Sequence, residues 1–277
     1  MRTRINSAAS LMIVLAIVAS FAIPIARAQP SYTVTVKAED LTATSLAVTI
    51  AWTNASDLSG SGTTPFTIPY TIGELTLTAP ATHIESSAFY IFHHWTNGSK
   101  NSEQIFNIAA DTTITAYYQK VLSVDKQLTD SYYLDGSTKV PVDPSQVPLG
   151  KVVYFSMTVT LYVDAVFTGV KVTDGIGADL VLDELIASYG TTTSGKASTK
   201  GKMSATKVTW TIGDTAVGTY TLDIRVHTGL NPQQKQEYTS TGIHSLNGGP
   251  EVHLNYNTAE YEIKGPPVKI KVVLPPA

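Results

Sequence analysis

The chain has 277 residues, 43% of them hydrophobic and 15% charged, and it contains no cysteine. Its first 28 residues hold three Arg and no acid, so the remaining 249 carry 16 basic and 22 acidic side chains, net −6. A mildly acidic chain without basic clusters argues against nucleic acid as a partner, and the lack of Cys excludes disulfides, thiol catalysis and cysteine-bearing metal sites.

The first 28 residues have the pattern of a secretory signal peptide. Arg2 and Arg4 supply a positive start, and residues 8–23 form an apolar stretch shorter than the ~20 residues of a membrane span. Ala26-Arg27-Ala28 is a small-x-small cleavage site. We therefore expect residues 1–28 to be removed and the protein to be secreted, either free or associated with the cell envelope; the alternative is a retained N-terminal helix.

Alternating Val, Ile, Thr, Tyr and Leu run along nearly the whole mature chain, and no stretch has the helical period. The sequence predicts an all-β protein. Clusters of turn residues are recognised at residues 59–62, 191–201 and 247–250. Strands are predicted at residues 32–37, 46–52, 75–78, 89–95, 105–108, 113–118, 122–128, 152–163, 169–173, 181–182, 207–212, 218–227, 253–263 and 268–273.

Near residues 118–121 one strand ends in Thr-Ala-Tyr-Tyr, and a Val-rich strand begins without a long linker. The length of the mature chain is also typical of two domains, with a single large β-sandwich as the alternative. We therefore expect two tandem β modules, residues 29–119 and 120–277, held in a fixed or semi-fixed line.

Residues 31–119 resemble the B-repeat-like modules of bacterial and archaeal surface proteins. The matching segments are T-P-F-T at 64–67, L-T-L-T-A-P at 75–80, F-H-H-W-T-N-G-S at 92–99 and D-T-T-I-T-A-Y-Y at 111–118. In that family such modules are spacers or stalk units, so the resemblance implies a structural role for this half.

Residues 120–273 resemble the Ig-like sandwich family catalogued as domain of unknown function eleven, and its relatives among Gram-positive pilin domains. The matching segments are L-G-K-V-V-Y-F-S-M-T-V at 149–159, V-K-V-T-D at 170–174, W-T-I-G at 210–213 and N-T-A at 257–259. The chain departs from the family where Tyr162-Val163-Asp164 replaces Asn-x-Gly and where Gly177 replaces a proline. The resemblance implies an Ig-like β-sandwich that builds surface structures without enzyme activity.

Alternation predicts that Lys126, Asp174 and Asn257 point inward from three strands. Related pilin domains use Lys, a mid-domain acid and Asn in this order to form an intramolecular isopeptide bond. The resemblance implies that a neutral Lys126 amine attacks the Asn257 carboxamide while Asp174 shuttles protons. The alternative is a surface lysine, a turn aspartate and a capping asparagine without any bond.

Metal binding is not predicted. His93 and His94 are adjacent on a predicted strand, so we expect them to face opposite sides and not to chelate one ion. Four acids, at positions 125, 130, 135 and 143, are expected in a loop-rich stretch, where solvated loop acids are favoured over a calcium site because the spacing does not fit an EF-hand.

The sequence contains no nucleophile elbow, no His-Glu-x-x-His and no phosphate loop, so we expect neither enzyme activity nor a cofactor. Asn54 and Asn97 begin N-glycosylation sequons, which matter only in a host that glycosylates secreted chains. Four aromatic side chains could stack on sugars if exposed, although packing inside the sandwich is favoured: Trp52, Tyr90, Trp95 and Tyr117.

These patterns predict a non-enzymatic, secreted cell-surface or extracellular protein with a structural or adhesive role, whose partners are other surface proteins or surface glycans. Two alternatives stay open. A carbohydrate-binding module would be favoured by an exposed coplanar strip of aromatic rings. A self-assembling filament subunit would donate residues 29–37 or 268–273 to its neighbour, and an unpaired terminal strand would favour it.

Overall fold

The computed structural model describes residues 31–71, 73–196, 206–229, 238 and 240–274. The predicted signal peptide and its cleavage site lie outside these residues. The described chain is all-β, as predicted, with 21 strands and no helix. Accordingly, nothing in the described part of the chain is a helix that could cross a membrane.

The strands alternate buried and exposed side chains, as expected for sheets with one face on a core. The first eight are β1 (Ser31–Asp40), β2 (Thr49–Asn54), β3 (Ser59–Thr63), β4 (Phe66–Thr71), β5 (Gly73–Thr78), β6 (Thr82–Glu85), β7 (Ala88–Trp95) and β8 (Glu103–Ile108). The others are β9 (Thr112–Asp135), β10 (Thr138–Pro141), β11 (Val147–Pro148), β12 (Val153–Val163), β13 (Phe167–Ile176), β14 (Leu180–Ala187), β15 (Thr191–Lys196), β16 (Thr206–Thr215), β17 (Gly218–Thr228), β18 (Gly242–Ser245), β19 (Glu251–Tyr256), β20 (Ala259–Lys264) and β21 (Lys269–Val273).

Strand β9 is 24 residues long and runs through both halves of the chain. Its first part pairs in parallel with β1, and its second part pairs antiparallel with β12. The separate strands predicted at 113–118 and 122–128 are therefore one strand. Lys120 is exposed and the β7–β9 ladder shifts register beside it, so the alternation is broken locally, but the pairing with β7 continues on both sides and the strand does not end there.

Two clusters of buried side chains lie on either side of this junction. We define the N-terminal core as the cluster that includes Trp95 and Tyr118, and the C-terminal core as the one that includes Phe155 and Trp210. A nine-stranded sheet with the path β14-β17-β12-β9-β1-β4 contributes to both cores. The N-terminal core is covered by the sheet β3-β2-β5-β8, and the C-terminal core by the sheets β15-β16-β13-β19-β20 and β11-β21-β18.

The side chain of Phe89 crosses the predicted boundary. It stands on β7, yet it is fully buried in the C-terminal core. Its ring centroid lies 4.8 Å from that of Tyr261, 5.7 Å from that of Tyr256 and 5.9 Å from that of Phe167, all in edge-to-face geometry. The division of the chain at residue 119 stays a prediction, and Phe89 is the main side chain that the first segment supplies to the second core.

Three predicted elements are wrong, and one of them is the turn cluster at 191–201, whose residues Thr191–Lys196 form strand β15. The run at 253–263 is not one strand but the hairpin β19–β20, because Asn257 and Thr258 adopt positive φ angles of 47° and 68° and reverse the chain. The predicted turn at 59–62 is strand β3. Its Gly60 and Gly62 leave room for the rings of Trp52 and Phe66, which a Cβ would approach to 2.8 and 2.6 Å.

Both terminal strands are paired inside the molecule. Strand β1 lies between β4 and β9, and β21 lies between β11 and β18. Neither is the unpaired strand that donation to a neighbouring subunit would favour. Residues 29 and 30 of the first predicted donor segment lie outside the described chain.

We expect Phe89→Ala to destabilise the C-terminal core although the residue lies outside residues 120–277. Removing a fully buried phenylalanine costs about 3–5 kcal/mol through lost burial and the cavity left behind. Urea unfolding followed by intrinsic fluorescence, to which Trp52, Trp95 and Trp210 all contribute, measures the effect. Ile84→Ala, on the same hairpin but 38% exposed, is the control and should change the midpoint little; equal effects of the two variants would contradict the role of Phe89.

Candidate functional site

A buried ion pair joins the two facing sheets of the C-terminal core. Lys126 on β9 donates from Nζ to Oδ2 of Asp174 on β13, and the two side chains are only 0% and 1% exposed. The strand partner of Lys126 on β12 is Val159, which is itself fully buried. Both residues point inward, as alternation predicts.

The third residue of this group is Asn247, and not Asn257. Asn247 is 2% exposed, and its Nδ2 donates to both carboxylate oxygens of Asp174 at 2.9 Å. Asn257 is exposed in the β19–β20 turn, so the inward orientation expected for it does not hold. The alternation argument fails there because it assumes an uninterrupted strand through a residue that forms a turn.

The backbone around Asn247 is held against β13. Asn247 forms a β-bridge with Ile176, and Gly248 N–H donates to Gly175 O at 3.2 Å. On the other side, Val268 N–H donates to Asn247 Oδ1 at 2.9 Å. The sequence shows Asn247 within a Leu-Asn-Gly-Gly-Pro segment typical of a turn, although in the structure Leu246, Asn247, Gly249 and Pro250 are all buried.

Burial dominates the protonation of Lys126. Desolvation lowers the pKa of its amine, while the charge of Asp174 and the hydrogen bond to it act in the opposite direction. An amine in an apolar core is stabilised in its neutral form, and a neutral amine is nucleophilic.

The arrangement supplies the groups that amide formation needs. The Asp174 carboxylate accepts hydrogen bonds from both nitrogens between which a proton would have to move, Lys126 Nζ and Asn247 Nδ2. The Val268 N–H is aimed at the carbonyl oxygen on which negative charge would develop if an amine attacked Asn247. Nucleophile, proton carrier, electrophile and oxyanion donor are therefore within one buried cluster.

The two adjacent histidines do not face opposite sides as expected. The ladder between β7 and β9 shifts register at Phe92–His94, and this bulge brings His93 Nδ1 and His94 Nδ1 to 2.7 Å from each other. The His94 ring stacks on Tyr117 at 4.7 Å, and burial, followed by the charges of His93 and Lys100, lowers its pKa. Within the described residues no three His, Asp or Glu side chains group closely enough to hold a metal ion.

The acids expected in a loop-rich stretch lie mostly on a strand. Asp125, Asp130 and Asp135 belong to β9, and Asp143 follows β10, where its carboxylate accepts the N–H of Ser145 at 2.8 Å. The expectation of a loop was wrong because β9 extends further than the predicted strand. A strand separates these carboxylates along its length instead of gathering them around one ion.

Both sequon asparagines lie at turns of the N-terminal half. Asn54 Oδ1 accepts the N–H of Ser56 at 3.0 Å, and Asn97 Oδ1 accepts the N–H of Ser99 at 3.0 Å. Asn97 is exposed and Asn54 half-buried. Their modification stays a prediction.

The four aromatic residues considered for sugar stacking do not form a common strip. Trp95 and Tyr90 are buried in the N-terminal core, and Tyr117 is covered by His94. A different pair, Tyr132 and Tyr154, stacks face to face at 5.1 Å with an interplanar angle of 9°. Lys139 Nζ lies 4.2 Å from the centroid of the Tyr132 ring, and the His227 ring lies 5.4 Å from that of Tyr154, so neighbouring side chains also contact this pair.

Comparison with known proteins finds solved structures that resemble this chain distantly, at low sequence identity. No family model matches the chain, and no curated protein matches it in sequence. The major pilin SpaD from Corynebacterium diphtheriae is 12% identical with a TM-score of 0.46, over 87% of this chain and 65% of the SpaD chain. The major pilin subunit BcpA of Bacillus cereus is 12% identical with a TM-score of 0.38, over 88% of this chain and 69% of the BcpA chain. A DUF3823 family protein from Parabacteroides merdae is 12% identical with a TM-score of 0.32, over 88% of this chain and 100% of the other chain.

In the variant Asp174→Asn we expect Lys126 to remain a free, buried amine without a counter-charge. The pKa of Lys126 is then lower in the folded state than in the unfolded state. At pH values between these two pKa values, the unfolded state therefore binds more protons than the folded state. The free energy of unfolding should therefore rise with pH, by up to ~1.4 kcal/mol per unit, until the usual lysine pKa of about 10.4 is reached.

Urea unfolding of Asp174→Asn from pH 7 to 10 measures this slope. The double variant Lys126→Met/Asp174→Asn is the matched control, because it lacks the amine and should be more stable by about 3–5 kcal/mol at pH 7. Equal pH slopes in the two variants would show that the Lys126 amine does not titrate as a buried group.

Proposed function

We propose that this chain is a secreted structural protein of the cell surface or extracellular matrix, whose C-terminal half is cross-linked by an amide bond between Lys126 and Asn247. The observation that carries the proposal is the fully buried Lys126, which shares the Asp174 carboxylate with a buried carboxamide. A charged lysine is costly to bury, and a buried pair adds little stability over apolar packing. An amide bond removes the charge altogether.

The reaction balances without any external reagent. The neutral Lys126 amine attacks Asn247 Cγ, and the Val268 N–H stabilises the oxygen of the tetrahedral intermediate. Asp174 accepts the proton from Nζ and delivers it to Nδ2. The Nζ–Cγ bond forms, the Cγ–Nδ2 bond breaks, and one ammonia leaves.

The gain in stability suits an extracellular chain without disulfides. Joining Lys126 to Asn247 closes a loop spanning 121 positions of the sequence. By the chain-entropy relation used for disulfides, such a link contributes about 5 kcal/mol, less any strain in the folded state. The role assigned to Asn247 replaces the one expected for Asn257.

Other classes of function have less support from the geometry. The four aromatic residues considered for sugar stacking do not form the coplanar strip that a carbohydrate-binding module would favour, and both terminal strands of the described chain are already paired. We infer that the surroundings of Lys126 act on the protein itself and not on an outside substrate.

The amide bond predicts an intact mass lower than the sequence mass by one ammonia. Lys126→Ala and Asn247→Ala should abolish the deficit, and Asp174→Ala should abolish it or greatly slow its appearance. Electrospray mass spectrometry of the purified mature chain measures each case, and tandem spectra of a digest should contain the branched peptide that joins the two residues.

Asn257→Ala is the matched control and should keep the full deficit. A wild-type protein of full sequence mass would refute the cross-link. Loss of one water instead of ammonia, persisting in Asn247→Ala, would identify Asp174 as the residue joined to Lys126 and would equally refute the role given to Asn247.

Export is tested separately. Expressed in a host with a general secretion pathway, the full chain should appear in the medium or envelope fraction with Gln29 as its first residue, because cleavage follows Ala28. N-terminal sequencing measures this, and a cytoplasmic product that begins with Met1 would contradict it. Ala26→Asp/Ala28→Asp is the control and should block processing.

A further inference from the structure

The strands that begin and end the N-terminal half lie side by side in parallel. Strand β1 is the first described strand, and β9 is the strand through which the chain leaves this half. Seven register pairs join them, from Val34 opposite Thr112 to Asp40 opposite Tyr118. Because the strands are parallel, the start of β1 and the exit of β9 lie at opposite ends of the ladder.

This placement determines how tension along the chain would act. A pull on residue 31 and on the chain beyond residue 118 moves β1 and β9 past each other along their length. Every pairing in the ladder is then loaded at once. A pull applied at one shared end would instead open the same pairings one after another.

Strand β1 is also held on its other side. Six register pairs join it to β4, from Ser31 opposite Thr71 to Val36 opposite Phe66. Sliding β1 out would therefore break both ladders and withdraw Val34, Val36 and Ala38 from the core, where each is at most 1% exposed. A hydrogen bond of about 1 kcal/mol resists little pulling force when it breaks alone. Many such bonds resist a much larger force when all of them must break at the same time.

Contacts at the two ends support the same ladder. Thr33 N–H donates to the Asp111 carboxylate at 2.7 Å at the start, and Leu41 N–H donates to Tyr118 O at 3.1 Å at the end. Beyond Tyr118, β9 enters the C-terminal core without a linker, so force passes directly into the second half.

We propose that the N-terminal half is a tension-bearing element in which the parallel β1–β9 ladder is the mechanical clamp. This goes beyond the structural role proposed above and does not depend on the amide bond, because Lys126 lies outside the ladder. A clamp of this kind suits a chain that is held at one end and loaded at the other.

The experiment compares two directions of pulling on one ladder by single-molecule force spectroscopy of the mature chain. Since the chain has no cysteine, paired Cys substitutions give unique attachment points. Ser31→Cys with Lys120→Cys loads the ladder lengthwise, whereas Ser31→Cys with Ala110→Cys pulls on its shared end. All three side chains are exposed, and both variants should keep the wild-type melting temperature.

At one loading rate, we expect the rupture force in the lengthwise geometry to be several-fold higher than in the shared-end geometry. Equal forces, or a lower force lengthwise, would overturn the clamp. The comparison is repeated with Lys126→Ala, which should leave the ratio of the two forces unchanged. A ratio that disappears in this background would also overturn the proposal, because it would place the resistance in the cross-link and not in the ladder.

Discussion

Both cores rest on one strand, β9, which passes from the first core to the second across a break in its alternation: Lys120 is exposed, whereas Val121 and Leu122 are both buried. Before this break Ile114, Ala116 and Tyr118 point into the N-terminal core, and after it Val124 and Lys126 point into the C-terminal core. Because neighbouring strands pair with β9 on both sides, its register determines the register of each sheet. The lysine at position 126 is thereby committed to the interior, and the chain must accommodate its amine there.

The buried amine explains the polar groups collected around it. Asp174 neutralises it from the facing sheet, and Asn247 occupies the remaining capacity of that carboxylate. Such a group of polar side chains costs desolvation energy and is retained where it serves specificity or chemistry. Val268 N–H donates a hydrogen bond to the side-chain carbonyl oxygen of Asn247. Packing alone does not require this bond, because an apolar residue at position 247 would need no donor.

Prediction from the sequence is correct for features that depend on local alternation of side chains, and it is wrong where that alternation is broken. The all-β class, most strand positions and the inward direction of Lys126 and Asp174 follow from a period of two. The turn at Asn257 and the bulge at His93 each interrupt that period, and a single altered φ angle or extra residue is invisible in a pattern of hydrophobicity. Asn247 and Phe89 reach their places through tertiary contacts, for which no local signal exists.

The continuous strand also restricts how such a chain can change over generations. In proteins whose domains are joined by linkers, insertion or loss of a residue between domains is harmless. Here, loss of one residue of β9 between Leu122 and Lys126 would turn the side chains that follow, up to the register shift near Asp130, to the opposite face, bringing Gln127 inward and Lys126 into water. The junction between the halves has its own register shift at Lys120–Leu122, so the two halves fit each other only with that offset, and they are inherited as one piece of architecture.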